Sequence, residues 1–147
     1  RCSRLTTCMV LPDVNVLLAL AFEAHQQHKT ARAWFDEAEA CLLCRMTQSA
    51  FLRLASNPAL FGDEALTLSD AWCCYDTLAS DERFEFALEP LGLEQMWRRL
   101  TMMSSFSTEV WNDRYLAAFA ITAQATLVSF DSAFTSVPEL DARVLAP

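Results

Sequence analysis

Three aspartates stand beside apolar segments of this chain. They are Asp13 in Leu11-Pro12-Asp13-Val14-Asn15, Asp113 in Trp111-Asn112-Asp113-Arg114-Tyr115, and Asp131 in Val128-Ser129-Phe130-Asp131. Taken singly, each has an ordinary explanation. Asp13 could cap a following helix, Asp113 could complement the dipole of an early helical turn, and Asp131 could be a turn residue. Taken together they point to chemistry. Carboxylates held close repel one another, and a bound divalent cation is the usual reason to tolerate them. Oxygen donors without an obvious His or Cys contribution suit Mg2+ or Mn2+. One or two such ions can polarise a phosphodiester, generate a hydroxide and stabilise the leaving oxygen.

For the acids to meet, the elements between them must return to one edge. The pattern predicts a short buried strand from residue 9 to Asp13 and a helix over 16–22. An amphipathic helix follows over 25–39, with Ala31, Trp34, Phe35 and Ala38 at helical spacing. Residues 40–45 read as a second strand. Thr47 is placed to cap a helix that runs to Ala55 and stops at Asn57-Pro58. A loop passes through Phe61-Gly62, and Thr67 or Ser69 caps a helix to Ala79. Charged and apolar residues alternate over 83–89, as in a strand. Helices are expected over 93–103 and 113–124, a buried strand over 125–130, and a last strand over 142–145. Strands separated by helices imply an α/β fold, a single domain whose central sheet is mostly parallel with helices on both faces. Ligands bind such sheets outside the carboxyl ends of the strands, where Asp13 and Asp131 fall.

The 147 residues match one ordinary domain, and 53% apolar content is enough for a real core. No apolar run reaches the roughly 20 residues of a membrane helix, so no membrane role is expected. The net charge of −8 disfavours tight nonspecific binding to nucleic acid. It is compatible with such a substrate if the acids gather around cations and a few Arg meet phosphate. A basic partner protein is another outlet for the charge. Four of the six Cys lie in apolar segments and read as buried thiols. With no secretion pattern, a cytoplasmic protein is expected. Residue 1 is Arg and Met9 opens the first apolar segment, so residues 1–8 read as an upstream extension and 9–147 as the domain.

His25, His28, Cys41 and Cys44 could bind zinc on paper. Strand spacing, however, points Cys41 and Cys44 to opposite faces. Trp34, Trp72, Trp97 and Trp111 read as packing residues on amphipathic helices, with a partner groove or dimer face as the other use.

Several segments resemble PIN-domain ribonucleases. The opening Asp13-Val14-Asn15-Val16-Leu17-Leu18 is one. Thr47-Gln48-Ser49-Ala50-Phe51-Leu52-Arg53-Leu54 followed by Asn57-Pro58 is another. Trp111-Asn112-Asp113-Arg114-Tyr115-Leu116 and Thr126-Leu127-Val128-Ser129-Phe130-Asp131 complete the series, and Glu89-Pro90 with 92–98 resembles one subgroup of VapC toxins. The resemblance spans about 9–144 and implies a PIN-like nuclease domain that binds Mg2+ or Mn2+ and cleaves single-stranded RNA. By motif, Asp13 and Asp113 would be metal ligands. Asp131 would be a third carboxylate, acting directly or through water, and Asn15 and Ser129 would be polar supports. Arg53 would order the site or meet phosphate, or else form a surface salt bridge. Gln48 departs from the family, many of whose members carry Glu there. Its amide oxygen can ligate a metal but brings no charge. Glu89 or Glu94 could fill the gap, or be plain exposed acids. The resemblance also implies a cognate antitoxin and a homodimer.

Two other readings stand beside this one. In a catalytically weak or inactive PIN-like module, the same fold would bind RNA or protein, and Gln48 leaves room for that reading. A haloacid-dehalogenase-like phosphatase would use Asp13 as nucleophile. That family expects a second Asp two residues on, where this chain has Asn15, and a Lys before the last acidic motif, which is missing here.

Overall fold

Three short, largely apolar runs and two alternating segments form the strands β1 (Met9–Pro12), β2 (Ala40–Leu43), β3 (Phe84–Phe86), β4 (Thr126–Ser129) and β5 (Ala142–Val144). In this computed structural model, which describes residues 7–147, they make one sheet in the order β3-β2-β1-β4-β5. Every neighbouring pair is parallel. Most of the expected extension over residues 1–8 thus lies outside the described residues. The helices are α1 (Val14–Ala21), α2 (His28–Glu37), α3 (Arg45–Ala55), α4 (Pro58–Phe61), α5 (Leu68–Ala79), α6 (Leu93–Leu100) and α7 (Val110–Ala123). Among the described residues, no helix is long and apolar enough to cross a membrane.

Alternation along the strands decides which side chains meet which helices. Leu11, Leu42 and Leu127 share a core with Leu116, Phe119 and Ala120 of α7 and with Leu93 and Leu100 of α6. Val10, Cys41 and Val128 face the other way, toward Val16, Leu20, Trp34 and Phe35 of α1 and α2. Cys41 and Cys44 fall in these two opposite cores, as their odd spacing requires. A third cluster joins Leu17, Leu43, Phe51 and Tyr75, where α1 packs on α3 and α5.

The chain leaves central β1 toward β2 and β3, then crosses to β4 on the other side. The carboxyl ends of β1 and β4 therefore flank the switch point at which a crevice opens. Some boundaries differ from the sequence expectation. Cys44, not Thr47, caps α3. Thr47 sits one turn inside, where its hydroxyl accepts from the Cys44 N–H at 3.3 Å while the Cys44 sulfur faces it in a reciprocal capping box. Asn57 caps the short α4 inside the expected loop, with Pro58 at its first position. The strand expected over 83–89 is only Phe84–Phe86, and α7 begins three residues before Asp113. Pattern reading is least able to place such ends, where few side chains are buried.

Candidate active site

Asp13 ends β1 and caps α1. Its backbone N–H continues the ladder by donating to the Val128 carbonyl at 2.8 Å. One carboxylate oxygen accepts from the Val14 N–H at 2.7 Å, and the other accepts from the Ser129 hydroxyl at 2.8 Å. Ser129 is fully buried at the end of β4. Its oxygen also accepts from the Asn15 amide at 3.1 Å and from the Asp131 N–H at 3.0 Å. Asn15 Oδ1 accepts in turn from the Phe130 N–H at 3.4 Å. One hydroxyl thus ties together the loops after β1 and β4. Asp131 is exposed, and its carboxylate caps the short 3-10 turn Ser132–Ser136 by accepting from the Ala133 N–H.

Asp113 comes from a different element. It lies in the first turn of α7, on the stripe continued by Leu116 and Ala117, which are buried against the sheet. That stripe carries Asp113 to the crevice. Burial holds its carboxyl above the usual range, and the charges of Asp13, Asp131 and Glu109 raise it further against a small opposing effect of Arg114. The Asp13 carboxyl is also raised, chiefly by burial. The bonds from Ser129 and Val14 work against this, and Asp131 adds to it. The three aspartates therefore share one electrostatic site at the edge of the sheet.

Glu109 is a fourth acid that the sequence reading missed. It is the cap residue of α7, and its carbonyl accepts from the Asp113 N–H at 3.5 Å. The available signal was the i,i+4 spacing of two like charges at a helix start, normally an unfavourable arrangement. Glu89 and Glu94 are engaged elsewhere. Glu89 accepts from the Tyr115 hydroxyl at 2.6 Å, and Glu94 forms an exposed pair with Arg98. Neither contributes to the shift of Asp113.

Gln48 and Arg53 line a groove between α3 and α5. The Gln48 side-chain oxygen accepts from Arg45, and Gln48 also bonds the Tyr75 hydroxyl. Among the described residues, no hydrogen bond joins Gln48 or Arg53 to the aspartates. Nor is any group of three His, Cys, Asp or Glu side chains assembled closely enough to hold a metal ion by itself. What the crevice offers is an oxygen-rich, negatively charged recess in which Arg114 opposes the elevation of Asp113.

Comparison with known proteins identifies the family and the fold. The family profile of the PIN domain matches residues 10–140. Ribonuclease VapC41 of Mycobacterium tuberculosis is 41% identical, over 94% of this chain and 99% of its own length. VapBC2 of Rickettsia felis, solved bound to a DNA fragment from its promoter, contains a chain that superposes with a TM-score of 0.66 at 12% identity. The match covers 94% of this chain and 99% of that one. VapC20 of M. tuberculosis, a toxin that cleaves the sarcin-ricin loop, also gives 0.66, at 15% identity over 93% and 99%. The motifs around the three aspartates, the switch point between β1 and β4, and these likenesses agree: the chain belongs to the PIN-domain family, on its VapC ribonuclease branch.

Proposed function

We propose that this protein is a metal-dependent endoribonuclease, the toxin of a VapBC-type pair, and that it cuts RNA at the acidic crevice between β1 and β4. The observation that carries this reading is the meeting of Asp13, Asp113 and Asp131, from three separate elements, in one crevice, where burial first and then the charges of Asp13 and Asp131 hold the Asp113 carboxyl above its usual range. Such repulsion is costly for folding alone and is relieved by a cation. The donors suit a small, hard ion. They are carboxylate, amide and hydroxyl oxygens, the donor type with which Mg2+ or Mn2+ completes its shell of waters. Asp13 and Asp113 would hold it directly, and Asp131 directly or through water. When bound, the cation supplies Lewis-acid stabilisation of the charge that develops on the phosphate.

The chain's own groups have clear tasks. Ser129 fixes the Asp13 carboxylate and, with Asn15, locks the β1 and β4 loops together. Water adds to phosphorus, the bond to the 3′ oxygen breaks, and that oxygen takes up a proton. A 5′-phosphate and a 3′-hydroxyl end remain. Cytoplasmic RNA is the substrate.

The toxin–antitoxin character of the structural relatives supports a cognate antitoxin as partner. A homodimer is the proposed unit. Exposed apolar residues around α6 and the loop before α7, including Leu91, Met102, Phe106 and Trp111, offer surface for such contacts. The test is cleavage of single-stranded RNA with Mg2+, with Mn2+ and with chelator. Metal-dependent cleavage that Asp13→Asn and Asp113→Asn each remove is the expected result. Chelator-insensitive cleavage, or none at any metal concentration, would overturn the reading.

A further inference from the structure

We infer that the groove between α3 and α5 is the cradle in which single-stranded RNA lies beside the acidic crevice, with Trp72 stacking on a base and Arg45 and Arg53 meeting phosphates. The inference rests on the ribonuclease reading and adds a substrate-binding surface to it. The groove holds about 480 Å³, room for a nucleotide, and is lined by Arg45, Gln48, Ser49, Arg53, Leu68 and Trp72 among others. No acidic side chain lines it, although the whole chain carries a net charge of −8. Among the described residues, the ion pairs engage Arg32, Arg83, Arg98 and Arg99 and leave Arg45 and Arg53 without an acidic partner. Two unneutralised guanidinium groups in an acidic protein are a local attraction for phosphate.

Trp72 is 48% exposed despite its size. Its ring stands at 88° to Tyr75, with centroids 6.3 Å apart. That contact props the indole while much of it stays open to solvent, as base stacking needs. Gln48 and Ser49 add uncharged polar groups between the cations.

Position relative to the crevice follows from strand register. Val10 pairs with Cys41, so Asp13 at the end of β1 lies level with Cys44 at the end of β2. Adjacent strands are about 4.8 Å apart. Arg45, the next residue, opens α3 and the groove at the same edge of the sheet that carries the aspartates. Arg45 also lies over the Phe86 ring, 4.6 Å from its centroid, which holds its guanidinium at this edge. A strand lying in the groove would run toward the carboxylates, with its backbone guided by the arginines.

The experiment measures binding apart from cleavage. Full-length Asp113→Asn protein is titrated with a fluorescein-labelled, mixed-sequence oligoribonucleotide of about eight nucleotides. Trp72→Ala should weaken binding about tenfold and Trp72→Phe should restore most of it, the scale and tolerance of base–aromatic stacking. Arg53→Ala should weaken binding and reduce the salt slope by about 0.7, as loss of one phosphate contact on a single strand does, and Arg53→Lys should keep the slope. With the catalytic aspartates intact, Trp72→Ala should raise KM for RNA and leave kcat nearly unchanged. Unchanged RNA affinity and salt slope in Trp72→Ala and Arg53→Ala would overturn the inference, and cleavage by the Trp72→Ala and Arg53→Ala proteins that retain Asp113 would leave the ribonuclease reading standing. If these variants instead lose only antitoxin binding or self-association, the groove is a protein interface and the inference fails. Tenfold weaker RNA binding in a protein that never cleaves would support the groove and reject the nuclease.

Discussion

The acidic crevice and the α3–α5 groove are built from opposite materials. The crevice stands on strand ends. Asp13 is 8% exposed, Ser129 is fully buried, and each is held by several hydrogen bonds. The groove stands on exposed helix faces, its arginines exposed and Trp72 about half so. One region concentrates negative charge behind a rigid hydrogen-bonded frame, and the other presents positive charge on long, adaptable side chains. On the proposed reading the difference separates two tasks. Holding a cation requires donors fixed to a fraction of an ångström, whereas gripping a flexible polymer tolerates rotamer freedom. On that reading it also accounts for RNA binding by a chain with so negative a balance, because what matters is the local field.

Substitutions should therefore cost most in the crevice. Asp13→Asn and Asp113→Asn preserve shape and remove one charge each, and each should lower RNA cleavage by roughly 1,000-fold while the circular dichroism spectrum stays that of the parent. Wild-type-like cleavage by folded Asp113→Asn protein would end the comparison, since the crevice would then do no chemistry. Ser129→Ala comes next. It leaves Asp13 Oδ2, the Asn15 amide and the Asp131 N–H each short of a partner. Loss of such a supporting group should raise the Mg2+ needed for half-maximal cleavage about 10- to 100-fold, read by metal titration.

The raised carboxyls give a pH test with a definite sign. The Asp113 carboxyl holds its proton more tightly in the folded chain than in the unfolded one. Its contribution to metal-free stability is therefore present at acid pH and is lost as pH rises through the raised folded value. Cleavage should behave in the opposite way, because a protonated carboxyl does not hold a cation. Activity should fall on acidification before an ordinary carboxylate would titrate. In metal-free protein at neutral pH, Asp113→Asn should raise Tm by a few degrees, corresponding to about 1 kcal/mol in a chain of this size. A fall in Tm would mean that repulsion is not the dominant effect at this position.

The smallest effect is expected at Gln48, on the wall of the groove. A Glu introduced by Gln48→Glu would find Arg45 already bonded to the side-chain oxygen. That neighbour should neutralise much of the added charge. The shift in metal requirement should stay within about threefold, the size of a partly exposed ion pair. A much larger tightening, measured by Mn2+ and Mg2+ titrations of cleavage, would show that the side chain turns from the groove to the crevice.

Element order and fold class were readable because burial leaves a periodic trace. Short apolar runs marked the buried strands, alternation marked β3, helical spacing marked α2, and a long apolar run marked most of α7. Ends were less legible. Cys44 caps α3 with a sulfur that no capping preference would select, and α4 forms in a segment whose residues are not buried. Two of the four Trp, Trp72 and Trp111, are about half exposed, although helical spacing alone read them as packing residues. Periodicity locates a helix but not the neighbour that its second face lacks.

The chain by itself determined which residues are acidic, which lie at strand ends, and that Asp13, Asp113 and Asp131 belong to separate elements able to meet. Only the tertiary structure decided that Ser129 bridges two loops, that Glu109 joins the acids, and that Gln48 and Arg53 share the α3–α5 groove with Trp72. Local pattern depends on neighbours a few positions away. Charge coupling and hydrogen bonds between residues more than a hundred positions apart depend on strand order and register, which the sheet acquires only when its pieces assemble.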